Sequence, residues 1–458
     1  MIPSSSSSMD SLRRLPSPSR SNHIRFRSSS PSTSLVNGTR LKRKRTISES
    51  TTLIQTSNRE FKHTHTSISS YRNQYKRRTT TTIETKNLRQ WVFSSHDCSH
   101  LKDEIVVVSY NILGVENASK HPYLYYGVPH NYLNWERRKR CIRNELKCYK
   151  ASILCLQEVD RFSDLDDLLR EDGFKGTYKA RTGEACDGCA IFWRDDMFTL
   201  IHQESIEFRD FNLRDNVAQF CVLKMRPKHS KKVAEDKISK TQTLLIGNMH
   251  ALFNPRRGDI KMGQIRLFVK KAHTISKEWG NIPVVIAGDL NSAPQSAVYK
   301  FLASSELDLL QYDPRRLSGQ IEGQRSRWEF FRAHTEVASS WSEEELQLAA
   351  GSEGITHLQH CLQLCSAYVG VPGSSSTRDR YGEPLATSYH SKFMGTVDYI
   401  WHSKDLFPVG VVETIPIDIL RKMRGLPSEE WGSDHLALVC KLAFADDSSG
   451  NRSDGSPH

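Results

Sequence analysis

The chain has 458 residues, with 64 Lys+Arg against 52 Asp+Glu for a net charge of +12, and 10 cysteines. It contains no run of about 18 apolar residues, which excludes a membrane-spanning helix and leaves no membrane partner to expect. Cysteines spread this thinly, several of them inside apolar runs, exclude a secreted disulfide scaffold and point to reduced, intracellular thiols.

The charge is unevenly placed. Residues 1–90 hold 18 Lys+Arg and 4 Asp+Glu, a net of +14, so the remaining 368 residues carry 46 basic and 48 acidic groups, a net of −2. With 20 Ser and 13 Thr as well, this segment cannot bury enough apolar surface to offset its chain entropy, and a disordered basic tail is expected over 1–100. Lys42-Arg43-Lys44-Arg45 and Lys76-Arg77-Arg78 read as nuclear-import patches or non-specific phosphate contacts. An Arg- and Ser-rich, acid-poor start also fits an organellar transit peptide, and a solvated tail with no address is the third reading. Nucleus and cytoplasm are the expected compartments, an organelle the alternative. A secretory signal pattern is not present.

A folded domain is expected over 101–445. Ile105 to Leu113 is a β-branched apolar run that predicts a buried strand. Leu133, Ile142, Leu146 and Tyr149 then mark a helix over 133–149, Ile153 to Leu156 a second strand, and Leu165, Leu168 and Leu169 a short helix. Strands follow at 174–180, 188–194, 204–211, 217–225, 243–249, 283–287, 397–401 and 436–442, with helices at 260–278 and 295–304. Two polar stretches, 227–241 and 313–385, read as insertions, the second with a helix around 343–365. Residues 446–458 form a short acidic, Gly/Ser-rich tail. Strands alternating with helices predict α/β layers over a mixed sheet system, and no internal repeat is visible.

Polar groups recur where these strands end: Asn111, Glu158, His250, Asp289 with Asn291, Asp398, and Asp434 with His435. Taken singly each has a structural explanation, such as a solvated loop acid or a turn whose side chain bonds the backbone. Together, acids, amides and histidines at strand ends mark the place where α/β sheets build ligand sites. Phosphoester hydrolysis needs this inventory: hard oxygen ligands for Mg²⁺, a group to orient water, and donors for the phosphorane oxygens.

Five ordered motifs then carry a resemblance: Tyr110-Asn111-Ile112-Leu113, Leu156-Gln157-Glu158-Val159, Gly288-Asp289-Leu290-Asn291-Ser292, Val397-Asp398-Tyr399-Ile400 and Ser433-Asp434-His435. They resemble the motif series of the exonuclease–endonuclease–phosphatase superfamily over about 104–443, which implies a four-layer α/β sandwich of the DNase I type. Trp135 to Arg138, Asp187 to Trp193, Asn254 to Lys261 and Phe393 to Asp398 look most like deadenylases of the carbon catabolite repressor type. Asn254 to Lys261 also looks like the Angel branch, with its 2′,3′-cyclic phosphatase activity. The full-length repressor deadenylases carry leucine-rich repeats that dock the scaffold nuclease. Here that place is taken by the Ser/Arg tail, which puts in doubt the repressor/Not deadenylase complex that the resemblance implies as a partner.

What the resemblance implies is a Mg²⁺-dependent 3′-to-5′ exoribonuclease, with Mn²⁺ as a possible substitute, that shortens mRNA poly(A) tails, releases 5′-AMP and contributes to mRNA turnover. RNA with a poly(A) 3′ end is the expected partner. A 2′,3′-cyclic phosphatase, or another small phosphoester hydrolase on the same fold, is the alternative, and a non-catalytic RNA-binding protein the third hypothesis. Glu158 would be the principal metal ligand, with Asn111 on metal-bound oxygen or phosphate and Asp434 as a further ligand. Asp289 would activate water, Asn291 bond a phosphate oxygen, and His435 stabilise the phosphate charge, oriented by Asp398. His250 would donate to the phosphate, and Phe393 and Pro255 would flank the terminal base.

Other signals carry less. Cys186 and Cys189 form one pair without a second, so zinc is not expected. His357, His360, Cys361 and Cys365 read as faces of an amphipathic helix, and Trp135 as core packing. Arg256 and Arg257 fit either an RNA-backbone contact or a solvated turn.

Overall fold

β-Branched and apolar runs form two sheets that pack face to face. The structure is a computed structural model and describes residues 88–96, 103–227, 242–320 and 341–445. The strands in chain order are β1 Trp91–Phe93, β2 Glu104–Asn111, β3 Ile153–Gln157, β4 Phe174–Ala180, β5 Gly188–Arg194, β6 Phe198–Glu207, β7 Val217–Met225 and β8 Thr243–His250. They continue with β9 Val284–Asp289, β10 Glu306–Asp308, β11 His357–Gln359, β12 Leu364–Ser366, β13 Ser388–His390, β14 Phe393–Gly395, β15 Asp398–Ser403, β16 Leu406–Val412 and β17 Leu438–Phe444. The helices are α1 Val115–Lys120, α2 Trp135–Tyr149, α3 Phe162–Arg170, α4 Gly258–Glu278, α5 Ala297–Ser304, α6 Glu343–Ala350 and α7 Ile417–Leu420.

Among the described residues one sheet runs β1-β16-β17-β2-β3-β5-β4 and the other β12-β15-β9-β8-β7-β6. Each contains one parallel pair, β2 with β3 and β8 with β9, inside otherwise antiparallel neighbours. The inner faces share a core in which Ile105, Val107, Cys155 and Cys440 meet Cys221, Leu244, Val285 and Ile400. The outer face of the first sheet packs Val108, Leu154 and Phe192 on Ile142, Leu146 and Leu169 of α2 and α3. The outer face of the second packs Phe220, Leu245 and Ile286 on Ile265, Phe268 and Phe301 of α4 and α5. The expected α/β/β/α sandwich is therefore the observed fold. Such strands are buried on both faces, which is why they read as continuous apolar runs.

One polar cross-link pierces the core. Asn248 of β8, fully buried, donates to Leu156 O (2.9 Å) and Ala190 O (3.0 Å) of the other sheet and accepts from Gln157 Nε2 (2.8 Å).

Several expectations are corrected. The ordered chain begins before 101: β1 pairs with β16, and Arg89 is buried against Glu145 (2.7 Å), Glu413 O (3.0 Å) and Ala437 O. A short edge strand in a polar stretch has too little apolar periodicity to be seen. The helix around 343–365 is only α6. A capping box of Ser342 and Glu345 starts it, and Gly351 at φ +76° ends it, after which Leu358 and Leu364 enter strands. The strand expected at 204–211 is shifted to β6, a half-exposed edge strand whose interleaved polar residues mask its period. The readings for 1–87, 228–241, 321–340 and 446–458 lie outside the described residues. The nine described cysteines are free, and no helix among the described residues is long and apolar enough to cross a membrane.

Asn248→Ala would remove the side-chain donor to Leu156 O and Ala190 O and one acceptor of the Gln157 amide, which keeps Cys155 O at 3.0 Å. At about 1–3 kcal/mol per buried group left short of a partner, urea unfolding is expected to show a loss of roughly 3 kcal/mol. A loss well below 1 kcal/mol would mean that the two sheets do not depend on this cross-link.

Candidate active site

The two parallel pairs end side by side. Asn111, the last residue of β2, sits opposite Gln157 at the end of β3, with Glu158 next in the chain. His250 at the end of β8 sits opposite Asp289 at the end of β9, and Asp398, the first residue of β15, faces Asp289 from the other side. Where these strands turn into loops the backbone is left-handed at Leu113 (φ +57°), Glu158 (φ +56°) and Asn291 (φ +46°). For non-glycine residues that conformation is sparsely populated and collects at functional sites.

Asn111 joins the two halves. Its Nδ2 donates to Glu158 Oε1 (2.9 Å) and to Asp289 Oδ2 (3.0 Å), while its Oδ1 accepts from Leu113 N (3.1 Å). The amide thus turns its nitrogen, not its oxygen, to the acids: it holds the carboxylates in place, where the resemblance had placed it on metal-bound oxygen or phosphate. Glu158 Oε2 accepts from Gly114 N (3.0 Å) and from Asn117 Nδ2 (2.9 Å) on α1. Burial alone would raise the Glu158 carboxyl, but His250, the Asn117 and Asn111 amides and His435 outweigh it and pull it down to about 2.

Asp289 Oδ1 accepts from Asn291 N at 2.9 Å. Its Oδ2 lies 3.5 Å from His250 Nε2 and 3.8 Å from His435 Nε2. Asn291 Nδ2 is 3.0 Å from His250 Nε2 and donates to Ala251 O at 3.1 Å, so this amide orients the histidine. His435 Nδ1 is 2.8 Å from Asp398 Oδ2, which also accepts from Thr387 Oγ1 at 2.6 Å. Burial opposes a charged imidazole, yet Asp398, Asp434 and Asp289 outweigh it and hold His435 well above the usual histidine range. Asp434 Oδ2 accepts from Tyr125 Oη at 3.0 Å.

All of the sequence-derived residues except Asn111 and Asp398, which stand just behind it, line one cleft of about 470 Å³. Glu158, His250, Asp289, Asn291, Asp434 and His435 meet there with Phe393 and Pro255. Sequence reasoning missed Asn117, Tyr125, Thr387 and Lys261. Lys261 is fully buried on α4, and its Nζ donates to Asn291 O (2.5 Å) and Gln320 Oε1 (2.8 Å), supporting the Asp289–Asn291 turn from behind. Burial pushes its amine down to about 7 against the attraction of Asp289. A lysine on the apolar face of a helix was the available signal. Of the discounted signals, Trp135 does pack against the α2–α3 core, with its Nε1 bonded to Asp164 (2.8 Å). Arg257 is neutralised by Asp259 (2.7 Å) while Arg256 lines the cleft.

The donor set fits a hard divalent cation: an ionised Glu158 and the oxygens of Asp289 and Asp434 face one space, and none of the residues lining it is a cysteine. Asp289, Asp398 and His435 also bring one ligand atom each within 4.8 Å of one another and could hold a metal ion. Occupation there would compete with the 2.8 Å contact between His435 and Asp398.

Over residues 108–435 the chain matches the model of the endonuclease/exonuclease/phosphatase family. The chain belongs to that family. Carbon catabolite repressor protein 4 homolog 5 of Arabidopsis thaliana is 55% identical over 385 residues, 81% of this chain and 84% of that protein. Homolog 3 from the same organism is 46% identical over 366 residues, 78% and 80% of the two chains. A crystal structure of ANGEL2, a 2′,3′-cyclic phosphatase, in complex with adenosine-2′,3′-vanadate matches with a TM-score of 0.63 at 29% identity, covering 78% of this chain and 98% of that one. The family is one of hydrolases that typically use a divalent metal, and the cleft has the groups such chemistry requires.

A carboxyl held near 2 instead of its ordinary 4.5 stabilises the fold above about pH 4.5, and that contribution is lost as pH falls toward 2. Glu158→Gln is therefore expected to flatten the dependence of unfolding stability on pH across that window, measured by urea denaturation at stepped pH. A curve parallel to wild type would show that the neighbouring amides and histidines do not hold Glu158 ionised.

Proposed function

We propose that this chain is a Mg²⁺-dependent 3′-to-5′ exoribonuclease that shortens poly(A) tails and releases 5′-AMP. The supporting observation is that one open cleft holds both the hydrolytic groups and Phe393 with Pro255, an aromatic and a prolyl face fit to flank a terminal base. The 55% identity to a carbon catabolite repressor protein 4 homolog supports the same reading, and the preference for adenine rests on that resemblance.

Glu158, with Asp434 as a further oxygen donor, would hold the Mg²⁺ (or Mn²⁺), whose charge would offset that of the scissile phosphate. Asp289 takes the proton of the attacking water, its two carboxyl oxygens fixed by Asn291 N and Asn111 Nδ2 so that no reorientation is needed. His435 keeps its proton because Asp398 supports it, and so presents a cation to the charge that develops on phosphorus-bound oxygen. His250, whose Nε2 lies 3.0 Å from Asn291 Nδ2 and 3.5 Å from Asp289, is held beside the water-activating carboxylate. The bond broken joins phosphorus to the 3′ oxygen of the penultimate nucleotide, so the terminal nucleotide leaves with a 5′-monophosphate. A second reading, hydrolysis of 2′,3′-cyclic phosphate ends, is favoured by the match to ANGEL2 bound to adenosine-2′,3′-vanadate.

A time course on 5′-labelled RNA ending in twenty adenosines, with Mg²⁺ or with EDTA, tests the reading. A metal-dependent ladder is expected that shortens from the 3′ end and stalls at the first other base. Asp289→Ala should slow it by a factor on the order of 10²–10⁴, as for loss of a general base. An intact tail beside rapid opening of a 2′,3′-cyclic phosphate end would overturn it in favour of the second reading.

A further inference from the structure

We infer that the mouth of the cleft is a second subsite, which binds the strand upstream of the dinucleotide that spans the scissile bond, through Tyr123 and Lys392 on one side and Phe253 and Arg256 on the other. The inference rests on the exoribonuclease reading and gives it a substrate requirement: a polynucleotide strand, not only a terminal ester.

Two large aromatics are exposed in this cleft although nothing on the described surface covers them. Phe253 is 58% and Tyr123 43% exposed, and both line the cleft with the hydrolytic groups. They are held on built backbone. Ser391 donates from its N to Leu124 O and from its Oγ to Tyr123 O, each at 3.0 Å. This ties the 3₁₀ turn Pro122–Tyr125 to the β13–β14 hairpin that carries Lys392 and Phe393. The hairpin is itself bonded to the site, through Tyr389 N to Asp434 O (2.8 Å) and Leu436 N to Thr387 O (2.7 Å). On the opposite wall Ser318 Oγ donates to Pro255 O (3.1 Å) and Leu252 N to Gln264 Oε1 (2.9 Å), fixing the loop that bears Phe253 and Arg256.

The cations are placed differently from their neighbours. Arg181 and Arg257 are answered by Asp187 (3.3 Å) and Asp259 (2.7 Å). Among the described residues, the side chains of Lys392 and Arg256 have neither an ion pair nor a hydrogen-bond partner, though both line a cleft whose floor is acidic. Aromatic faces interleaved with unpaired cations match the alternation of bases and phosphates in a single strand, and are tolerant of sequence because every base offers a π-face. A mononucleotide seated between Phe393 and Pro255 would leave these four side chains unused.

The experiment uses the full chain with Mg²⁺ on the dinucleotide ApA and on twenty linked adenosines, with wild type, Tyr123→Ala, Phe253→Ala, Lys392→Gln and Arg256→Gln. Thermal melts check that each exposed substitution leaves the fold intact. On the long substrate each ring truncation is expected to raise KM about tenfold, the equivalent of ~1.4 kcal/mol, with kcat held. On ApA neither constant should move. Loss of either cation should lower the slope of log KM against log salt by roughly 0.7. Unchanged KM on the long substrate in all four variants, or equal rises on both substrates, would overturn the subsite. Equilibrium binding of fluorescein-labelled twenty-adenosine RNA to the Asp289→Ala protein, alone and combined with each substitution, separates the two hypotheses. If wild type binds but does not cleave, and the rim variants weaken binding, the subsite stands while the exoribonuclease reading falls. If that RNA is not bound at all, the subsite falls too.

Discussion

One side-chain amide holds the two halves of the site in register. Asn111 Nδ2 touches Glu158 on its own sheet at 2.9 Å and Asp289 on the facing sheet at 3.0 Å. Two carboxylates at such a separation repel one another, and in a partly dry cleft the repulsion is several times stronger than in water. The amide lowers that cost by giving each acid a donor. Moving either sheet by a fraction of an ångström along its strands would break one of these bonds and leave a carboxylate unpaired. The geometry of the site and the relative position of the sheets are in this sense a single constraint.

Asn248 repeats the device one layer inward, with its amide spent on Leu156 O and Ala190 O across the same interface. Apolar contacts between sheets are non-directional and tolerate sliding; a fully satisfied buried amide does not. Hydrophobic packing between Val107, Cys155, Leu244 and Val285 supplies the bulk of the attraction. The polar pair Asn248 and Gln157 sets where along the strands the packing comes to rest, and so where Asn111, Glu158, His250 and Asp289 arrive.

The strands that carry the chemistry were legible because burial on both faces writes itself as an unbroken apolar run. Six polar residue groups at the ends of such runs were therefore visible, and the structure gathers them. What was hidden has a common cause. Asn117 and Tyr125 come from a six-residue helix and a four-residue 3₁₀ turn, too short to show periodicity, and β1 is a three-residue edge strand preceded by Arg89, whose partners lie 56, 324 and 348 residues away. The orientation of Asn111 and Asn291 was also out of reach. Sequence places an amide at a strand end, but only tertiary contacts decide which of its ends faces the acids. Lys261 shows the opposite case: the residue stands in plain view within the Asn254–Lys261 motif, but its partners behind the turn are Asn291 and Gln320, 30 and 59 positions later.

The division of charge inside the cleft follows from the same packing. Its floor collects acids because the strand ends converge there, and it balances them with amides and two histidines. Asp398 is spent on His435 and Thr387, which leaves Glu158, Asp289 and Asp434 as the oxygens turned to the open space. A phosphate approaching three carboxylates meets net repulsion unless positive charge is supplied. His435, held protonated, supplies part of it from within the chain. A cation held at Glu158 would supply the rest, and the depressed Glu158 carboxyl is already in the state such a cation needs. Catalytic power here would come from charges fixed before the substrate arrives, each held in place by hydrogen-bonded neighbours.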